Sequence, residues 1–372
     1  MPIGDKIRQA RDRLRLTQAE LAKRVGLPHA QTVSDIERGQ RALKAAEVGR
    51  IARALHLDYW QLLAPEEERP PCIMWRKGAG VSKEVEQRFI QKCRQYRLVE
   101  DAVGLKQNRS LWTERFALQD GDPCLRARDI ADRASREFNL GDRPASVLPG
   151  LLENEYGVKV WYFGLRDTGS SACAEADFGK AVLVDATEAP WRRNWDFAHE
   201  LFHLLTWDET RQIWEHGNDE ERDLTEKCAD AFAASVLLPS DEVGGVFDKN
   251  LVNGTISYQA IVGLAREFDV STEALLYRLV SLRRLDRSTV QEVLNDPEFR
   301  TLDRMSMAPK WWEPPELPER FVRTAFFAYK QGSLSRARLA EFLETNLLRL
   351  RDRLSEFGLH DESDYDKSLR AG

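Results

Sequence analysis

The chain has 372 residues, 42% of them apolar and 31% charged, enough for two or three domains with cores of their own. No apolar run approaches the ~18 residues of a membrane span, and Met1-Pro2-Ile3-Gly4-Asp5-Lys6-Ile7-Arg8 lacks a signal peptide's hydrophobic region, so a cytoplasmic protein without a membrane partner is expected. The five cysteines (Cys72, Cys93, Cys124, Cys173, Cys228) are odd in number and free of Cys-x-x-Cys spacing, which argues against a disulfide framework and against a cysteine zinc site. Net charge is −6, but residues 1–63 carry twelve Lys/Arg against seven Asp/Glu, so a head of +5 precedes a body of −11. Only the head is expected to meet nucleic acid.

Residues 3–63 read as a bundle of short helices. Ile7, Ala10 and Leu14, then Leu21, Ala22 and Val25, then Val48, Ile51, Ala52 and Leu55 recur at helical spacing. Thr17 with Glu20 three residues on is a capping box that opens a helix over 18–25, and Gly26 ends it. A second helix follows over about 29–38 and closes at Gly39. Helix, glycine turn and second helix make a helix-turn-helix, whose second helix enters the DNA major groove. The runs Leu16-Thr17-Gln18-Ala19-Glu20-Leu21-Ala22-Lys23-Arg24-Val25-Gly26-Leu27 and Val33-Ser34-Asp35-Ile36-Glu37-Arg38-Gly39 resemble the XRE family of lambda-repressor/Cro-like domains. The resemblance implies a five-helix domain over 1–66 on a double-stranded operator. It sets Gln18 towards a phosphate, Gln31, Thr32, Ser34 and Asp35 towards bases, and Arg38 and Arg41 on the backbone. The chain departs from that pattern by one extra residue around Pro28-His29-Ala30, which shifts the base-facing positions by one.

Residues 64–80, with Pro65, Pro70-Pro71 and Gly78-Ala79-Gly80, read as a linker. Val85, Phe89, Cys93, Tyr96, Val99 and Val103 then recur every three or four residues, a long amphipathic helix with Ser82 as its N-cap. Its stripe packs on its own domain or forms the seam of a homodimer. From Leu125 two further helices precede the strand-like runs 157–163 and 181–185, with 170–174 as a third strand between them. A free sheet edge at 170–176 is a place for an extended substrate to add a strand.

Asp196-Phe197-Ala198-His199-Glu200-Leu201-Phe202-His203-Leu204-Leu205 contains His-Glu-x-x-His on an amphipathic helix. Residues four apart share a face, so His199 and His203 can hold one zinc ion, with Glu200 in reach of a water there as general base. A catalytic zinc takes three protein ligands and leaves one position open. Glu226 on a second helix supplies the third, and Asp230, four residues on, is placed to orient a ligand histidine. His199-Glu200-Leu201-Phe202-His203-Leu204-Leu205 and Glu226-x-x-Ala229-Asp230-x-Phe232-Ala233-Ala234-x-x-Leu237-Leu238-Pro239 resemble the ImmA/IrrE family of bacterial zinc metallopeptidases. The resemblance covers roughly 125–285 and implies cleavage of a partner repressor. Cys173 is weighed both as a thiol at the open zinc position and as a small buried side chain, and Tyr162 and His216 as oxyanion donors. Residues 264–275 imitate a helix-turn-helix but are read as support for the zinc core.

The expected architecture is multidomain and mainly α with an α+β core. It comprises a five-helix helix-turn-helix domain (1–66), a linker and amphipathic helix (67–124), a zincin-like metallopeptidase domain with a small sheet (125–285) and a helical C-terminal region (286–372). The expected function is a DNA-binding regulator with Zn2+-dependent endopeptidase activity against an XRE-type repressor or itself. The rival is a non-proteolytic regulator whose zinc is structural or a sensor.

Overall fold

The computed structural model describes residues 3–13, 16–41, 43–55, 71–76, 83–105, 109–119, 121–165, 169–307 and 313–361. The chain divides into two compact units, Met1–Pro70 and Pro71–Gly372.

The first unit contains α1 (Ile3–Arg13), α2 (Gln18–Val25), α3 (Ala30–Glu37) and α4 (Ala45–Ala54). Both halves of the Thr17–Glu20 capping box form, and Gly26 turns the chain at φ +68°. Ile7, Leu21, Val25, Val33, Ile36 and Ile51 make the core. Glu37 on α3 is buried and accepts from Arg11 Nε at 2.6 Å and from Gln18 Nε2 at 2.8 Å, while Arg11 Nη1 donates to the Leu16 carbonyl. That cluster pins α1 to both helices of the helix-turn-helix. Gly4 makes the approach possible, because a Cβ there would sit 2.4 Å from the Ile36 carbonyl oxygen. The expected fifth helix lies outside the described residues, as do residues 56–70, 77–82 with the Ser82 cap, 308–312 and 362–372.

The second unit is organised on one sheet of order β1-β3-β4-β2, formed by β1 (Cys72–Arg76), β2 (Lys159–Phe163), β3 (Ser171–Ala176) and β4 (Gly179–Asp185). β3 runs antiparallel to both β1 and β4, and β2 runs parallel to β4. Two sequence expectations are corrected here. Residues 72–76 are a strand and not part of a linker: Ile73 is β-branched and Trp75 aromatic, side chains that suit a half-buried strand, and Met74 adds an apolar one. And β3 has no free edge, since β1 covers the side away from β4.

Alternation along the strands sends Met74, Cys173, Val182, Val184 and Val160 to one face and Trp75, Ala172, Ala174, Leu183 and Trp161 to the other. The first face is covered by α6 (Pro123–Phe138), α7 (Pro144–Tyr156), α8 (Pro190–Leu205) and α10 (Asp219–Leu237). Beyond them pack α11 (Ser240–Lys249), α12 (Tyr258–Glu267), α13 (Thr272–Ser281), α14 (Arg287–Asn295) and α15 (Pro297–Met307), while α9 (Trp207–His216) follows α8 directly. Leu264, Ala265 and Leu275 are buried there, so the helix-turn-helix imitation at 264–275 supports the core.

The second face is covered by α5 (Lys83–Ala102), α16 (Glu319–Lys330), α17 (Arg336–Phe342) and α18 (Leu350–Glu356). The stripe Phe89, Cys93, Tyr96 and Val99 is fully buried against that face, so it is not available as a dimer seam. The boundaries expected at 124 and 285 likewise do not separate units, because segments from both ends of the chain close one sheet. Their union is sealed by charge. Lys159 Nζ lies 3.0 Å from Glu100 and Arg320 Nη1 2.7 Å from the same carboxylate, with Lys159 and Glu100 both buried.

Candidate functional site

Pro190 starts α8 at a position where a missing N–H costs nothing, and Phe197, Ala198, Leu201, Phe202, Leu204 and Leu205 bury its apolar side. α10 opens on a capping box between Asn218 and Glu221 and packs against α8. The two helices bring His199, His203 and Glu226 together. His199 Nε2 is 3.1 Å and His203 Nε2 3.3 Å from the Glu226 carboxylate, and the two Nε2 atoms are 3.3 Å apart. Ligands at ~2.0–2.1 Å in a tetrahedral shell stand about 3.3 Å from one another, so the triangle fits a shared zinc-sized cation. Three such atoms from His199, His203 and Glu226 could hold a metal ion. Burial works to raise the Glu226 carboxyl, but the two histidines outweigh it and hold it well below the usual carboxylate range.

Asp230, one turn beyond Glu226, accepts from His199 Nδ1 at 3.0 Å. An ionised carboxylate offers no proton, so Nδ1 donates to Asp230, and Nε2 is the atom that would be left to bind a metal. The same Oδ1 accepts from Trp195 Nε1 at 3.1 Å and from Arg76 Nη2 at 2.7 Å. Burial raises Asp230, yet His199 and Arg76 bring it down to about 2. Arg76 also pairs with the fully buried Asp196, which Arg192 approaches at 3.3 Å. Glu200, 1% exposed, accepts from the Ser171 hydroxyl at 2.6 Å. A cleft of about 670 Å³, lined by Arg76, Arg128, Trp191, Trp195 and Tyr277 among others, opens beside Asp230.

His199, Glu200, His203, Glu226 and Asp230 are legible in the sequence as site residues, whereas Arg76, Ser171 and Trp195 are not. The run Ile73-Met74-Trp75 was the one local signal for Arg76. Cys173 is fully buried opposite Met74, and burial, with the Glu200 charge next, pushes its thiol well up. It packs as a small side chain of the core and is not one of the three residues whose ligand atoms converge. Tyr162 lies on β2, separated from β3 by β4, and His216 is largely exposed at the end of α9, so neither stands at the cluster.

In the first unit, Gln31, Thr32, Ser34 and Asp35 occupy α3. Gln31 Nε2 and Arg38 Nη2 both donate to Asp35, at 2.8 and 2.9 Å. Arg41 makes a two-pronged pair with Glu47, and Gln18 is turned to Glu37. Several of the side chains expected on DNA therefore hold one another in place here.

Among the described residues no helix is long and apolar enough to cross a membrane. Residues 2–61 match the family of helix-turn-helix domains. Residues 154–280 match the IrrE N-terminal-like domain of the peptidase M78 family. No curated protein matches the chain. A solved Mycobacterium tuberculosis transcriptional regulator is similar at 19% identity and a TM-score of 0.31, over 50% of this chain and 51% of that one, so the chain spans about half that structure's length. The chain thus joins a region that matches helix-turn-helix domains to one that matches the IrrE N-terminal-like domain.

Proposed function

We propose that this protein binds a double-stranded DNA operator through residues 1–66 and acts as a zinc-dependent endopeptidase on a repressor-type protein or on itself. The convergence of His199, His203 and Glu226 beside a buried Glu200 is the observation that carries the reading. A zinc ion held by those three residues would supply Lewis acidity that makes water a nucleophile near neutral pH. Asp230 fixes the His199 ring and its tautomer. Glu200, steered by the Ser171 hydroxyl, takes the proton from the attacking water and delivers it to the leaving amine. A purely structural metal site needs no such base and normally closes its fourth position with a protein ligand. None is present among the described residues around this cluster.

Neo-termini should be compared in cells carrying wild type or Glu200→Gln, with zinc content measured on both purified proteins. Equal zinc in both, with specific cleavages lost in Glu200→Gln, is the expected result. Identical termini at equal zinc would leave the metal a structural or sensing role.

A further inference from the structure

β3 is the strand beside the candidate centre: Ser171 at its start holds Glu200, and α8 packs against β3 and β4. One edge of β3 is taken by β4. The other is taken along nearly its whole length by β1, from Cys72 opposite Glu175 to Arg76 opposite Ser171. A peptide offered to this centre by strand addition would pair with that same edge of β3. We propose that β1 is a built-in pseudosubstrate: it occupies the strand position of an extended, arginine-containing target peptide, which displaces it to reach the centre. The inference rests on the endopeptidase reading.

The register gives the position its chemistry. Arg76 stands opposite the residue that holds Glu200, and its guanidinium reaches both Asp196 and Asp230, the carboxylate that orients His199. An occupant with arginine there pairs with both acids at once. One residue back, Trp75 fills the far face of the sheet and donates its Nε1–H to Glu86 at 3.0 Å, and two back, Met74 fills the near face beside Cys173. The position therefore selects apolar, aromatic and arginine side chains in succession. β1 is only five residues long, Cys72–Arg76, a length that one extended peptide can replace.

The probe is a fluorescein-labelled peptide of the 71–76 sequence with serine in place of its cysteine, titrated against full-length protein in the presence of chelator so that nothing is cut. Arg76→Ala, which frees the acid pair, should bind the peptide at least tenfold tighter than wild type. A peptide with alanine for its arginine should lose that gain. Met74→Cys sets a thiol opposite Cys173, at a separation of antiparallel partners (~4.5–5.5 Å between Cα atoms) that a disulfide spans. Oxidised Met74→Cys should bind at least tenfold more weakly than its reduced form, and Met74→Cys with Cys173→Ser should not respond to oxidation. Equal affinity for wild type and Arg76→Ala, or for the oxidised and reduced forms, would overturn the proposal. Docking of the peptide without cleavage of it or any protein after zinc is restored would instead remove only the endopeptidase reading.

Discussion

Replacing Arg76 by methionine keeps the length of the side chain and removes the charge that holds β1, α8 and α10 together. Asp196 is fully buried, and its Oδ2 has no hydrogen-bond partner among the described residues. Losing one partner of a buried ion pair costs about 3–5 kcal/mol, mostly from the charge left behind. Arg192, 3.3 Å from Asp196 and only half-buried, retains part of the compensation. The expected cost is therefore near the lower limit, about 3 kcal/mol, or roughly 5 °C in the melting temperature of a unit this large. Tryptophan fluorescence during urea denaturation reads it cleanly, since nine of the ten tryptophans lie beyond residue 70. Asp196→Asn should relieve the penalty, so Arg76→Met with Asp196→Asn should cost at least 1 kcal/mol less than the sum of the single changes. A cost for Arg76→Met below about 0.5 kcal/mol, or strict additivity, would refute the account of this cluster.

Three further outcomes follow from other parts of the molecule. Burial holds Glu153 up at about 7, against Tyr96's hydrogen bond at 2.9 Å. The folded state thus binds a proton that the unfolded chain releases near 4.5. Stability should fall as pH rises from about 4.5 to 7 and then level off, by about 1–2 kcal/mol once the partial exposure of Glu153 is allowed for, and Glu153→Gln should flatten this slope. Glu100→Ala strands Lys159 and Arg320 together in the second core, and should cost about 3–5 kcal/mol and open 317–354 to limited proteolysis. Gly4→Ala drives a methyl into the Ile36 and Glu37 carbonyls, and should cost about 1–3 kcal/mol, lowering the calorimetric transition of the first unit while leaving the second unmoved.

What could be read from sequence was local. His199 and His203, Glu226 and Asp230, and Thr17 and Glu20 are three or four residues apart, a spacing that helical geometry alone converts into a shared face or a cap. The misses were long-range. Arg76 meets Asp196 and Asp230 across 120 and 154 residues, and five strand residues between prolines and glycines carry too little periodicity to announce a pairing. Cys124 and Cys228 look unrelated in sequence, yet their sulfurs stand 3.2 Å apart. The amphipathic stripes of α5 and α16 say that each buries one side. They do not say that both bury it on the same sheet, because burial has no direction.

The back of that sheet has a consequence for how the protein is made. During synthesis from the N-terminus, α1–α4 can close their core long before β1 and α5 meet the helices that complete the second core. Until residues 317–354 leave the ribosome, Trp161, Phe163 and Leu183 lack much of their covering layer, and the ion pair from Glu100 to Arg320 spans 220 residues. The nascent chain thus completes the helix-turn-helix unit first and the His-His-Glu cluster's scaffold last. A chain interrupted before residue 317 would carry the first core intact and the second one open.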